Sequence, residues 1–487
     1  MVPPAWIAER SRTRALHDAF AVARRGFLAS AGGLGGLALA CLLREPAHAD
    51  SHGSYASGLH FPGRVRRVIQ LFMNGGVSQM DTFDYKPLLA QRHGQQIDFG
   101  IKMAATSAPG AVMKSPFRFR QHGQCGRWVS EVFPEMARHV DQMAFLMAMA
   151  SKTNVHGPAS YLQNTGFLAP GFPCLGAWVL YGLGRLTDNL PAFVVLPDHR
   201  GLPYNNAGNF STAFLPATNA PVVLNPNAAK PIPNLQPAAI QEAAINDQSE
   251  AAGRALLREL NLRHEMEHPG DSRLQARIES FELAARMQLS APEVLDLTRE
   301  SAATLALYGL EDPTTAPFAR NCLVARRLIE RDVRFVQVWS GMAGASNNWD
   351  NHSDIPRELP FIARTVDRPI AGLLTDLRQR GLLDDTLVLW TSEFGRMPFT
   401  QGTMGRDHNG GTFVSWLAGG GVRGGVSIGQ SDEYSYRAAE SVTTGYDLNA
   451  TILHLLGIDH ERLTFGHNGV QRRLTDVHGQ VIREILS

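Results

Sequence analysis

The chain has 487 residues, with 44% hydrophobic and 19% charged side chains. These are ordinary globular values, which exclude a disordered chain or a coiled coil. Formal net charge is +1, but residues 1–49 hold six Arg and three acidic residues, and without them 40 basic groups face 42 acidic ones, a net of −2. That balance speaks against nucleic acid as a partner, since such binding rests on a basic face. The length suits one large domain or two to three smaller ones.

Arg24-Arg25-Gly26-Phe27-Leu28 precedes a Gly- and Ala-rich, mildly apolar stretch to Leu43, followed by the small-x-small site Ala47-His48-Ala49. This pattern resembles a twin-arginine export signal over residues 1–49, cleaved after Ala49, with a periplasmic or secreted destination and no membrane attachment afterwards. A retained anchor is one alternative, although Gly26 to Leu43 barely reaches spanning length and carries five glycines. A lipid on Cys41 is another, with Ala38 a poor start to a lipobox. Cleavage leaves Cys125, Cys174 and Cys322, too widely and irregularly spaced for a zinc ribbon or a disulfide framework.

Residues 50–63 read as a linker, and residues 64–487 as one domain. Val65 to Met73 is a compact β-rich run that ends where Asn74-Gly75-Gly76 forces a turn. Val129 to Ala150 predicts a helix and then a strand around Ala144–Met149, and Ala192 to Leu196 predicts a third strand. From about 237 to 310, Ala, Leu, Glu and Arg recur at helical spacing, which predicts a helical insertion. Strands return at Val333–Val338 and Thr386–Trp390, separated by a helix over Ile362–Gly381. Alternating strands and helices predict an α/β fold, a mainly parallel sheet covered on both faces. Gly420 to Gly425 (GGVRGG) has the wrong spacing for a P-loop and reads as a tight turn between strands.

Polar groups gather after these strands. Asn74, Ser78, Asp81 and Asp84 follow the first strand, and Thr153-Asn154-Val155-His156 follows the second. Trp349-Asp350-Asn351-His352 follows the fourth, and Thr391-Ser392-Glu393 the fifth, with Gly405-Arg406-Asp407-His408-Asn409 shortly after. Ligands of such sheets bind at the carboxyl ends of strands, and carboxylates beside imidazoles suit a divalent transition metal. Asp350 and His352 point the same way if their segment is extended, whereas Asp407 and His408 ligate together only in a loop. Each group alone has a plainer role: an Asp after a strand caps a helix, Asp84 makes a turn, and His156 is a hydrogen-bonded core histidine. Recurrence at several strand ends favours a metal, with zinc or manganese fitting best and calcium open.

The stretch Gly381 to Gly395, followed by Tyr446 to Leu453 and Leu456-Gly457-Ile458, resembles the sulfatase and alkaline-phosphatase-like superfamily. More closely, the Arg-Arg signal, GGVSQMDTFDYKP, WDNH, SEFGR, GRDHN, the Leu417 to Gly421 run and RLTDVHG resemble the bacterial domain-of-unknown-function 1501 family over about residues 20–485. The resemblance implies a three-layer α/β/α sandwich and, for the superfamily, metal-dependent cleavage of phosphate or sulfate esters of small molecules or glycans. Departures are as informative. Asn74 stands where the superfamily has an acidic ligand, with Asp81 seven residues on. His156 stands at the nucleophile position, with Ser160 in place of an arginine, so a formylglycine sulfatase is not expected. Phe394 replaces the second ligand beside Glu393.

Two mechanisms fit these residues. In one, His156 attacks phosphorus while Arg396 or Arg406 steadies the anion. In the other, which we favour, His156 joins Asp81, Asp350, His352, Glu393, Asp407 and His408 around a metal that activates water, with Asn74, Ser78 and Arg406 holding substrate. The rival class is a retired hydrolase serving as a metal-binding or assembly protein, with the helical insertion as its protein-partner surface.

Overall fold

Seven consecutive residues of the first strand, RVIQLFM, are buried, as expected of a parallel strand covered on both faces. The computed structural model describes residues 58–103, 105–232, 247–268, 272–344 and 348–487. The export signal expected over 1–49 lies outside the described residues.

In chain order the strands that matter are β1 (Arg67–Met73), β2 (Met143–Ala150), β3 (Phe193–Leu196), β4 (Val222–Val223), β5 (Phe335–Ser340), β6 (Thr386–Thr391), β7 (Gly395–Gln401), β8 (Gly405–Asn409), β9 (Phe413–Gly419), β10 (Val426–Ile428) and β11 (Thr443–Thr444). The helices that matter are α1 (His156–Thr165), α2 (Leu175–Leu183), α3 (Asp247–Glu267), α4 (Ser272–Leu295), α5 (Ala302–Tyr308), α6 (Ala316–Glu330), α7 (Ile355–Gln379) and α8 (Gly445–Leu455). Nine strands form one sheet in the order β10-β2-β9-β6-β1-β5-β3-β4, with β11 beside β2. Strand β9 is antiparallel to both its neighbours, and every other pairing is parallel. This is an α/β fold with a mixed, mostly parallel sheet. The hairpin β7–β8 stands apart from it.

Alternation along the strands divides the core. Val68, Phe72, Phe335, Trp339, Leu387 and Leu389 pack with Trp178 of α2 and with Leu448 and Ile452 of α8, while α6 and α7 pack on each other and α6 against β5. One polar exception on the first face matters for the site. Gln70 and Gln337 are register partners on β1 and β5, and both donate to Asn164 Oδ1 of α1, at 3.3 and 2.8 Å. Gln163 of α1 donates to Thr391 Oγ1 at 3.1 Å. These buried amides fix α1 over the sheet through their NH2 groups, and among them Gln337 Oε1 is left without a partner.

Three elements differ from the sequence expectation. Arg127–Ser130 is a strand paired with Phe119–His122, and Met136–Gln142 is a 3-10 helix, where one α-helix was expected from Val129. Helix α7 begins at Ile355, not Ile362, because Pro356 sits in its first turn, where no backbone donor is needed. Residues 58–63 are docked rather than free: Gly58 N–H donates to Gly182 O and His60 N–H to Gly457 O, at 3.0 and 2.8 Å. The expected insertion contains α3 and α4, and residues 232–291 form a unit of their own. From Pro292 onward the chain belongs to the main body; there Tyr308 is fully buried and its hydroxyl donates to Asp376 at 2.9 Å. Among the described residues no helix is long and apolar enough to cross a membrane.

Candidate metal centre

The loop after β1 must turn within two residues, and Gly75 (φ +126°) and Gly76 (φ +78°) do so in the left-handed region. A Cβ on Gly75 would lie 2.6 Å from Asp350 N, so the WDNH segment packs directly on this turn. Trp349 anchors that segment: it is fully buried, its N–H donates to Asn74 O at 3.1 Å, and its Nε1–H donates to Ser340 Oγ at 3.1 Å. Asp350 and His352 then converge because the chain folds back, with His352 N–H donating to Asp350 O at 3.1 Å. The expected extended segment is replaced by a tight turn with the same result.

Around Asp350 Oδ1 lie His352 Nε2 at 2.7 Å, His408 Nε2 at 3.0 Å and His156 Nε2 at 3.2 Å. The ligand atoms of these four side chains all fall within 4.8 Å of one another. Each imidazole is held from behind. His156 Nδ1–H donates to Glu393 Oε1 at 2.7 Å, His408 Nδ1–H to Asn154 O at 2.9 Å, and His352 Nδ1–H to Gln401 Oε1. With Nδ1 carrying the proton, each ring turns a lone pair on Nε2 inward, the arrangement that outer partners impose on metal-ligating histidines. His352 Nε2 and His408 Nε2 are only 2.8 Å apart, and His156 Nε2 is buried with no hydrogen-bond partner. Lone pairs brought this close to a carboxylate and to one another require a cation between them, either protons or a metal.

Electrostatics follow from that crowding. Burial works against the charge of Asp350, but Arg396 and the three imidazoles outweigh it and hold the carboxyl far below the usual carboxylate range. Burial also works against protonation of His156, yet Asp350 and Glu393 outweigh it and raise its pKa. For His408 burial dominates and pushes the pKa down to about 4. Phe394 packs against the His156 and His408 rings, centroids 4.8 Å from each. Tyr204 stacks on His156 at 4.3 Å, within 8° of parallel, and its pKa is pushed up to about 12 by burial and the nearby carboxylates.

The other residues singled out from the sequence lie elsewhere. Glu393 is fully buried behind His156, where it also accepts the Gly75 N–H at 2.8 Å. Asp407 sits where the β7–β8 register shifts, between Arg406 and His408, and is bound away from the other ligands; it accepts from Thr106 and Ser107, and although burial opposes its charge these hydrogen bonds lower its pKa. Asp81 and Arg406 form a fully buried two-pronged pair, Oδ2 to Nε 2.7 Å and Oδ1 to Nη2 3.1 Å, with Ser78 Oγ–H donating to Asp81 at 2.5 Å. Asn74 donates to the carbonyls of Gly341 and Met342, both at 3.2 Å. Arg396, fully buried, donates to carbonyls of Gly75, Gly76, Trp349 and Arg406 and to Asp350 Oδ1 at 2.6 Å. It positions Asp350 and the β1 turn, and most of its donors are spent. Sequence reasoning missed Tyr204, Gln401 and the Asn154 carbonyl; none belongs to a motif, and the last is a backbone group.

An α/β protein with three inward imidazoles and one carboxylate at its strand ends has the donor set of a transition-metal site. The family model described as "Protein of unknown function (DUF1501)" matches residues 65–486, and the chain belongs to this family. No curated protein matches it in sequence. Similar solved structures include the lipoteichoic acid synthase LtaP from Listeria monocytogenes, 8% identical over 85% of this chain and 76% of that one, TM-score 0.35. The PsFucS1 sulfatase from Pseudoalteromonas sp. is 11% identical over 84% and 74%, TM-score 0.32. The phosphonate monoester hydrolase SpPMH from Silicibacter pomeroyi is 12% identical over 73% and 71%, TM-score 0.32.

Proposed function

We propose that this chain is an exported metal-dependent hydrolase of phosphate or sulfate esters of small molecules or glycans, with one divalent ion held by His156, Asp350, His352 and His408. The observation that carries this reading is the set of three histidines whose Nδ1 atoms are all engaged behind and whose Nε2 atoms meet at Asp350 Oδ1. Three nitrogens and one oxygen suit zinc or manganese far better than calcium, which takes six to eight oxygens. The bound ion supplies Lewis-acid activation of the ester and of water. His156 opens α1, and the first N–H groups of a helix have no acceptors within it, so this end of α1 favours an anionic substrate group. Glu393 keeps the His156 ring oriented, Arg396 keeps Asp350 in place, and Phe394 packs on the His156 and His408 rings with Tyr204 on His156, which leaves His352 the most exposed of the three. The Arg-Arg motif supports export through the twin-arginine route.

The second reading, a metal-binding protein without turnover, draws on one observation: Arg396 and Arg406 spend their donors on the protein itself, so neither serves as an anion clamp. The signal-processed chain, purified with zinc or manganese supplied, is compared with a His352→Ala/His408→Ala variant for metal content and for hydrolysis of aryl phosphate, aryl sulfate and phosphonate monoesters. Near-stoichiometric metal and turnover, both lost in the variant, support the hydrolase. Metal without turnover on any ester selects the second reading, and no metal in the folded wild type overturns both.

A further inference from the structure

A second group of metal-ligating side chains lies in the unit 232–291, far along the chain from the residues of the buried centre. Helix α3 ends in His264-Glu265-Met266-Glu267, and His268 is the next residue after it. A four-residue spacing stacks two side chains on one helix face, and here the imidazole centroids are 4.4 Å apart and tilted by 51°. Glu267 Oε2 lies 3.9 Å from His264 Nδ1, and one ligand atom from each of the three side chains falls within 4.8 Å of the others. His268 Nδ1–H donates to the His264 carbonyl at 3.0 Å. This bond fixes the tautomer and leaves the His268 Nε2 lone pair free, as an outer partner does for a metal ligand.

We propose that His264, Glu267 and His268 form a second, solvent-facing site for a divalent transition-metal ion of the zinc, nickel or copper class. Two imidazoles and a carboxylate are the donor set of open zinc sites, and two histidines four apart on a helix are their usual source. Imidazole donors select these metals over magnesium and calcium, with copper(II) bound most tightly. A surface ion pair would account for Glu267 beside His264, but not for the third ligand atom that His268 brings within 4.8 Å of both. Glu267 and His268 are exposed and His264 is half-buried, so three protein ligands leave a coordination position to water or to a donor from solution.

The full chain is titrated with zinc, nickel and copper(II) in turn, and bound equivalents are counted by equilibrium dialysis and elemental analysis. Wild type is compared with His264→Ala/His268→Ala, and with Glu267→Gln as a milder change on the same face. The double variant is expected to bind one equivalent fewer of each metal while keeping its helical circular dichroism, and Glu267→Gln to weaken that same equivalent. The copper(II) spectrum of the second equivalent should show nitrogen ligation that the double variant lacks. Equal stoichiometry and equal affinities in wild type and double variant would overturn the proposal, whatever the buried centre binds.

Discussion

Replacing Glu393 by Gln removes one charge and no heavy atom from behind the metal centre. In wild type, Glu393 Oε1 accepts both the His156 Nδ1–H, at 2.7 Å, and the Gly75 N–H, at 2.8 Å, while Oε2 lies 3.1 Å from Ser392 Oγ. A glutamine can keep Oε1 on both donors and turn its NH2 towards Ser392 Oγ, which is able to accept. The geometry therefore survives, and what is lost is the anion that makes the His156 imidazole a better base. Loss of such an outer partner weakens metal binding by about 10- to 100-fold, equivalent to roughly 1.4–2.8 kcal/mol. Zinc affinity, measured by competition with a chromophoric chelator at fixed pH, should fall by that factor with stoichiometry unchanged. His352→Ala, which removes a proposed ligand outright, should lose more. An unchanged zinc affinity in folded Glu393→Gln, within twofold of wild type, would refute the assignment of Glu393 as the partner that tunes His156.

Other perturbations separate the scaffold from the site. Arg406→Met strands a fully buried Asp81 carboxylate and should cost about 3–5 kcal/mol, read by denaturant unfolding. Gly75→Ala adds a Cβ 2.6 Å from Asp350 N at a left-handed position, so both the melting temperature and metal occupancy should drop together. Glu300 gives a pH test: burial opposes its charge, but Arg326 and Arg327 outweigh that and lower its pKa. Its stabilising contribution is therefore present above the unfolded value of about 4.3 and lost as pH falls through that value towards the folded one. Stability followed from pH 6 to pH 3 should decline less steeply in Glu300→Gln than in wild type.

The strands legible in the sequence were those with continuous apolar runs: Val333–Val338 and Thr386–Trp390 overlap β5 and β6, and the run to Met73 ends β1. Periodicity failed at Val129, where cross-strand pairing with Phe119–His122 overrides local helical spacing. His156 and His352 were legible because they follow strands, whereas His408, expected in a loop, lies inside β8. The division of labour among the acids was not. Whether Asp407 or His408 meets the other ligands is decided by the β7–β8 hairpin, whose register shifts between Arg406 and His408, and no local pattern announces such a shift. Arg406 and Asp81, 325 positions apart in the chain, satisfy each other only once the hairpin β7–β8 folds over the β1 turn. Tyr204 reaches His156 from a loop whose path no local pattern specifies.

The charge balance at the centre bears on what it binds. Asp350 and Glu393 contribute two negative charges and Arg396 one positive, with Arg396 bonded to Asp350, and Glu393 to His156, whose Nε2 lies 3.2 Å from Asp350 Oδ1. With three neutral imidazoles the protein part carries −1, enough to draw in a divalent cation, and the loaded centre then carries +1. Without Arg396 the loaded centre would be neutral and would lose its attraction for an anion. Under the proposed function, an arginine whose donors are spent on the protein would still set the sign of the field where an ester would bind. That field lies at the N-terminal end of α1, whose partial positive charge has the same sign. Arg396 thus need not be an anion clamp for the site to prefer a phosphate or sulfate ester over a neutral one.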